Sequence, residues 1–343
     1  MSLRLCSFSL AAIIASTIAG CSAPDDYSQV VVYTSVDRIF SGPVLKAAER
    51  KLGFKVIGVY DTEETKSTGL VNRLIAKKDN PDGDIFWSGD PARAAILKSK
   101  GITTAYDSPL AQDIPELYKD PDRHWIGFSA RTRVLLVNTD LVKEGDEPTS
   151  IFELTEAKWK GRVAIANPLF GTTSFQVAAL FEALGEERVL AWLDGLKTND
   201  VKIVASNGEV KRQVANGQVA VGLCDSDDAS EAVADGQPVR AVLLDQTASS
   251  GEALGNLVIP NTVSLIRGGP NPERAKKVVD FLLSTESLTM LAESCAQAPL
   301  RPDVAVPANV IALDGIVPMK VDYGVSAQRL DSIMPMLKEW VDR

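Results

Sequence analysis

Gln218-Val219-Ala220-Val221-Gly222-Leu223-Cys224-Asp225-Ser226-Asp227-Asp228-Ala229 is an apolar run that breaks into three carboxylates within four residues. The run has the length and content of a buried strand of a parallel sheet. In open α/β sheets, ligands lie in the crevice beyond the carboxyl ends of the strands. Asp225, Asp227 and Asp228 therefore become candidate site residues. The same pattern also fits a solvated turn or a helix N-cap, both of which Asp favours. Upstream, Asn207 to Val214 reads as a short helix that feeds the strand through Asn216-Gly217.

Outward from this stretch, apolar runs alternate with helical patterns, which predicts a parallel α/β construction. Val30 to Tyr33, Lys55 to Tyr60 and Asp84 to Trp87 read as strands, each stopping in a polar loop. Those loops hold Thr34, Ser35 and Asp37, then Asp61 to Ser67, then Ser88, Gly89 and Asp90. Helices are expected at Val44 to Arg50, Leu70 to Lys77, Ala92 to Lys100, Ser150 to Lys160, Pro272 to Leu283 and Ser326 to Trp340. Arg131 to Asn138 is a longer strand suited to crossing between two lobes. Another strand near Asn261 to Ile266 is expected to return to the first lobe. A chain of 343 residues is long for one hydrophobic core and favours two.

The N-terminus carries Arg4, a short apolar stretch to Ile18, then Ala19-Gly20-Cys21. That describes an export signal over residues 1–20, its core too short to span a bilayer. Residues 21–28 then read as a tether. No later segment has the ~20 apolar residues a membrane helix needs. Formal net charge is −9, one unit more negative once Arg4 leaves with the signal. An acidic chain without basic runs is a poor partner for nucleic acid or anionic lipid and suits capture of cations. Of four cysteines, Cys224 and Cys295 remain in the body of the chain. Export permits a disulfide between them, and the sequence leaves that open. With one histidine, His124, there is no His-rich zinc site, and no base is placed beside Cys224 or a serine. A hydrolase on the same lobes is the reading least supported.

Two constellations carry chemistry. Gly171-Thr172-Thr173-Ser174 follows the predicted strand Gly161 to Ala166 and leads into a helix from Gln176. Free N–H groups and hydroxyls at such a point bind phosphate or carboxylate, although plain helix capping uses the same residues. The second is the set of acids past strand ends: Asp37, Asp90, Asp225, Asp227 and Asp228. Clustered carboxylates suit a hard cation or an amine. Trp87, beside Asp90, fits either a pocket floor facing a cation or plain core packing.

These segments together carry a resemblance. The Ile18-Ala19-Gly20-Cys21 lipobox, Val32-Tyr33-Thr34-Ser35, Asp84-Ile85-Phe86-Trp87, Arg131-Thr132-Arg133-Val134, Gly161-Arg162-Val163-Ala164 and Asn207-Gly208-Glu209-Val210 run in one order. Asn261-Thr262-Val263 and Pro299-Leu300-Arg301-Pro302-Asp303 extend it. The chain resembles the iron(III)-binding proteins of ABC importers, within the iron, thiamine, phosphonate and polyamine group. The resemblance implies a two-lobed periplasmic-binding-protein fold (type II), with two crossing strands as a hinge. Lobe 1 would comprise residues 29–130 plus 262–343, and lobe 2 residues 131–261. It further implies a monomer lipidated at Cys21, held at the periplasmic or cell-surface face of a membrane. Its partner would be an ABC permease, and it would need no resident cofactor and perform no catalysis.

The resemblance also marks departures. Family members present adjacent tyrosines where this chain has Asp227 and Asp228, an early His where it has Asp37, and an acid near Gly89 or Asp90. The anion turn, Gly171 to Ser174, carries over. Two pockets remain open. In one, Asp37, Asp90, Asp227 and Asp228, helped by Tyr33, bind iron(III) as cargo, with a synergistic anion at Thr172 to Ser174. In the other, Asp227 and Asp228 pair with the ammonium of an aminophosphonate, other small zwitterion or polyamine, while the helix N-terminus takes a phosphonate or carboxylate.

Overall fold

The computed structural model of the chain describes residues 29–60, 68–247 and 253–343. The expected signal, the expected tether with Cys21 and the expected polar loop 61–67 fall outside the described residues. In chain order, β1 (Gln29–Thr34), α1 (Arg38–Leu52), β2 (Lys55–Tyr60), α2 (Thr68–Ala76), β3 (Ile85–Ser88), α3 (Pro91–Ser99) and a short β4 (Thr103–Thr104) come first. A long β5 (Ile126–Asn138) follows. Next are β6 (Val163–Ala166), α4 (Gly171–Leu184), α5 (Glu186–Thr198), β7 (Lys202–Val204), α6 (Asn207–Ala215), β8 (Val221–Asp225), α7 (Ser226–Ala234) and β9 (Val239–Val242). The chain closes with β10 (Val258–Ile266), α8 (Pro272–Leu282), α9 (Thr285–Cys295), β11 (Ala298–Pro299) and α10 (Tyr323–Asp342).

Local chemistry sets these limits. Pro91 supplies a first helical residue with no N–H to satisfy, and Asp90 Oδ1 accepts from Arg93 N to cap α3. α1 ends where Gly53 takes the left-handed conformation, φ 74°, after the basic Arg50 and Lys51. α6 lies so close on β8 that a Cβ at Gly222 would sit 2.4 Å from Val210 Cγ1. The 150–160 segment departs from the expected α-helix and forms two 310 turns, Ile151–Thr155 and Ala157–Trp159. Its carbonyls are taken by tertiary donors: Trp192 Nε1 bonds Ile151 O, and Asn199 Nδ2 bonds Leu154 O and Glu156 O.

The strands run in the order β2-β1-β3-β10-β5-β8-β6-β7, with β4 on β10 and β9 and β11 on β5. β1 pairs parallel with β2 and β3, and β6 pairs parallel with β7 and β8. Between these two parallel groups stand β10 and β5, antiparallel to each other and to their neighbours β3 and β8. At about 3.3 Å per residue β5 spans ~43 Å, enough to serve both. Ile126 to Thr132 pairs with β10, and Arg133 to Val137 pairs with β8. The carboxyl ends of β1 and β3 on one side and β8 on the other therefore converge on the middle of β5. That places a crevice where the topology calls for a ligand.

At the crossing, Pro260 faces Ala130, and the β5–β10 register shifts between Asn261 and Thr262. A bulge of this kind re-aims a side chain. Asn261 Nδ2 donates to Ser129 Oγ and Gln297 Oε1, beneath the crevice. At the back, α10 packs against both α3 and α4, and Tyr323 Oη donates to Val258 O at 2.8 Å.

Candidate functional site: an acidic cleft at the β8–α7 junction

β8 runs directly into α7 with no intervening loop, so Asp225 ends the strand while Asp227 and Asp228 fall in the first helical turn. A helix N-terminus favours negative charge there. One carboxylate oxygen from each of Asp225, Asp227 and Asp228 lies within 4.8 Å of the others. They line a cavity of about 650 Å³ between the two strand groups. The opposite wall brings Ser35, Asp37 and Gly89 from the ends of β1 and β3, and Glu293, Cys295 and Gln297 from α9 and beyond.

The three acids differ in their surroundings. Asp225 pairs across the ladder with Arg133. Its Oδ1 accepts from Arg133 Nη1 at 2.6 Å, and its Oδ2 from Arg131 Nε at 3.1 Å. Thr172 Oγ1 (2.8 Å) and Asn207 Nδ2 (3.0 Å) also donate to Oδ2. Burial alone would raise this carboxyl. The charges of Arg133 and Arg131, then the Thr172 hydrogen bond, hold it below the usual carboxylate range.

Asp227 and Asp228 lack such compensation. Burial first, then the neighbouring carboxylates, pushes Asp227 up to about 6 and Asp228 up to about 7. Arg131 and Lys211 respectively oppose those shifts, and Lys211 Nζ stands 4.0 Å from Asp228 Oδ1. Asp227 Oδ2 accepts from Gln297 Nε2 at 3.0 Å and its Oδ1 from Asp228 N at 3.1 Å. Two acids held against their own charge are arranged for a cation to enter.

The other expected site residues divide. Ser35 and Asp37 line the cavity, and Ser35 Oγ accepts from Gly89 N. Thr34 lies just beneath, buried, its Oγ1 accepting from Val36 N. Tyr33 does not reach the cavity. Alternation along β1 turns its ring to the other face of the sheet, where it packs with Leu70, Leu74 and Phe86. Its hydroxyl donates to Asp82 Oδ1 at 2.7 Å. Trp87 is fully buried against Phe128, ring centroids 5.7 Å apart, and belongs to the core. Ser88 is buried with its Oγ accepting from Asp90 N, and Asp90 spends its carboxylate on the α3 cap. Neither lines the cavity.

The expected anion turn is also changed. Gly171 opens α4 itself, with φ 58°, so Thr172, Thr173 and Ser174 are helical and buried. Thr172 and Thr173 face Arg133, and Ser174 Oγ donates back to Gly171 O. Thr172 also donates to Asp225 Oδ2, and none of the three hydroxyl residues lines the cavity. Arg131, Ser230, Glu231, Asn261, Glu293 and Gln297 line the cavity beyond the expected residues. Arg131 and Arg133 had a legible signal: charges inside an apolar strand require buried partners.

Nucleophilic chemistry finds no support at this junction. Cys224 is a buried free thiol, held well above its ordinary value by burial first, and Cys295 is free as well. The two do not form a disulfide. His124 lies elsewhere, with Nδ1 2.8 Å from Thr103 Oγ1. A larger groove of about 1000 Å³ lies between α3 and the start of α10. In it Lys98 is ion-paired with both Asp120 and Asp122.

The chain is 28% identical over 298 residues to iron uptake protein A1 of Synechocystis, covering 83% of this chain and 79% of that one. It is 26% identical to the major ferric iron-binding protein of Neisseria meningitidis serogroup B, covering 82% and 84%. A Salmonella typhimurium periplasmic protein provisionally named for 2-aminoethylphosphonate binding is 26% identical, covering 88% and 89%. Among solved structures, a Trichodesmium protein in complex with iron and citrate superposes with a TM-score of 0.80 at 21% identity, covering 91% and 99%. Iron-bound HitA from Pseudomonas aeruginosa gives 0.79 at 21%, covering 90% and 99%. The fold is thus the two-lobed one of periplasmic binding proteins. Residues 44–316 match the model of the bacterial extracellular solute-binding proteins, so the chain belongs to that family, whose members are not enzymes but bind a small ligand and pass it to the membrane permease of an ABC importer.

Proposed function

We propose that this receptor captures iron(III) in the cleft, with Asp227 and Asp228 as its principal ligands and Asp37 approaching from the opposite wall. The observation that carries this reading is the trio of carboxylates within 4.8 Å of one another, of which only Asp225 is neutralised by arginine. Hard oxygen ligands suit a hard ion, and relatives at 26–28% identity are named for iron. The lipobox at Ile18 to Cys21 supports a receptor tethered by lipid on the periplasmic side.

Cavity size favours a second reading, an organic ammonium such as a polyamine, because about 650 Å³ is ample for a small molecule. A zwitterion such as an aminophosphonate is less well served. Arg131, the base that lines the cavity, is already bonded to Asp225 Oδ2 and Gly89 O.

Native mass spectrometry with elemental analysis of a soluble form beginning at residue 22, purified without chelators, separates the readings. Stoichiometric iron supports the first. A metal-free protein stabilised on heating by spermidine or putrescine moves Asp227 and Asp228 to ammonium recognition and sinks the iron reading.

A further inference from the structure

The point where the α4 N-terminus, Arg133, Arg131 and Asn207 converge has the make-up of an anion site: buried cations, a hydroxyl and a carboxamide around one spot. That spot is already filled. Asp225 receives Arg133 Nη1, Arg131 Nε, Thr172 Oγ1 and Asn207 Nδ2. Arg133 is 2% exposed and Asp225 4%, so the Arg133–Asp225 pair is buried, while Arg131 and Asp225 also border the cavity. Further contacts lock the donors. Arg133 Nε donates to Gln176 Oε1, Arg131 Nη1 to Gly89 O, and Asn207 Nδ2 also to Thr172 Oγ1.

We propose that Asp225 is a built-in counter-anion: its carboxylate takes the place of a free anion at the α4 N-terminus, so the cleft accepts its cationic cargo without one. A tethered carboxylate has an advantage over a soluble one. It arrives with no loss of translational freedom, and its donors stay organised before the cargo comes. A free phosphate or carbonate would have to displace a buried, charge-assisted group held by two guanidiniums. The proposal rests on the cleft taking a cation. It also sets the cargo's chemistry, since a bare cation fits this site and a cation delivered as its phosphate or carboxylate complex does not.

The test uses metal-free protein, so it does not depend on which cation is carried. Inorganic phosphate, bicarbonate and acetate are titrated into wild type and Asp225→Ala, with chloride at matched ionic strength as control. Melting temperature and calorimetric heat are read. Wild type should show no specific heat and no shift, whereas Asp225→Ala should melt lower and regain several degrees with acetate or phosphate. Wild type that binds phosphate or bicarbonate as tightly as the variant would overturn the proposal, as would a folded variant indifferent to all three anions. Should Asp225→Ala not fold, Asp225→Asn keeps the shape while removing the charge, and gain of phosphate binding in that variant is then the expected result. Iron uptake by wild type is measured separately with and without phosphate. Absence of uptake in both conditions refutes iron as cargo and leaves the anion result standing, while uptake that requires phosphate overturns the counter-anion.

Discussion

Gln297 Nε2 donates to Asp227 Oδ2 at 3.0 Å, and the same side chain's Oε1 accepts from Asn261 Nδ2 at 2.9 Å. Asn261 sits at the bulge where β10 crosses β5, so the crossing strand, the α9–β11 turn and the acidic end of α7 are joined by one amide. Gln297 thereby orients Asp227 and ties the cleft to the crossing.

Replacing Gln297 by Leu should remove that orientation without adding charge. Loss of an outer hydrogen-bonding partner costs roughly 10–100-fold in metal affinity. Iron competition against a chelator would measure it, and an affinity unchanged from wild type would count against the relay.

Asp228→Asn should weaken cargo binding by at least about 100-fold, more than loss of an outer partner, while stabilising the empty protein at neutral pH. Between the ordinary carboxylate value near 4 and their own values of about 6 and about 7, Asp227 and Asp228 keep protons that the unfolded chain has released. The folded state then binds more protons, so this contribution to stability falls as pH rises across that window. Thermal melts of metal-free wild type and variant from pH 4.5 to 8 check it. The gap between the two should open as pH rises, and parallel profiles would contradict the assignment.

Arg133→Met should destabilise severely. It strips the shortest donor from Asp225, 2.6 Å away, and leaves the buried carboxylate one guanidinium, Arg131, in place of two. Breaking a buried pair on one side costs about 3–5 kcal/mol. Urea unfolding should show a lower midpoint at unchanged slope.

Tyr33→Phe discriminates the site from the core. Its phenol meets Asp82 on the face of the sheet away from the cleft, so cargo affinity should not change. The lost hydrogen bond should cost about 0.5–1.5 kcal/mol, read by the same denaturation. A fall in iron affinity would return Tyr33 to the ligand set.

Much of this architecture was legible in one dimension. Period and punctuation are local: Asp90-Pro91, Gly53 and the Val/Ile runs each carry their own instructions, so the alternating strands and helices follow from neighbours in the chain. The rule that ligands lie beyond strand ends then marked Ser35, Asp37, Asp225, Asp227 and Asp228 as facing one crevice. Tyr33, Trp87, Ser88 and Asp90 show where that rule stops. Each lies within two residues of a strand end, yet strand alternation, core packing or a helix cap spends its side chain elsewhere. Arg131 and Arg133 could have been suspected, as charges in an apolar strand. Gln297 and Ser230 carry no local signal, because a lone amide or hydroxyl is common on any surface.

The sequence by itself determined the class of molecule: an α/β solute receptor with an acidic pocket at the end of β8. Only the tertiary structure decided what the individual acids do. Asp225, Asp227 and Asp228 are chemically alike and nearly contiguous. Their roles separate because Arg133 reaches Asp225 across the β5–β8 ladder, with Arg131 and Thr172 beside it, while Asp227 and Asp228, lining the same cavity, meet a glutamine and a lysine 4.0 Å away. Charge compensation in a buried site is fixed by which distant groups come within hydrogen-bonding distance, and that is a property of the fold.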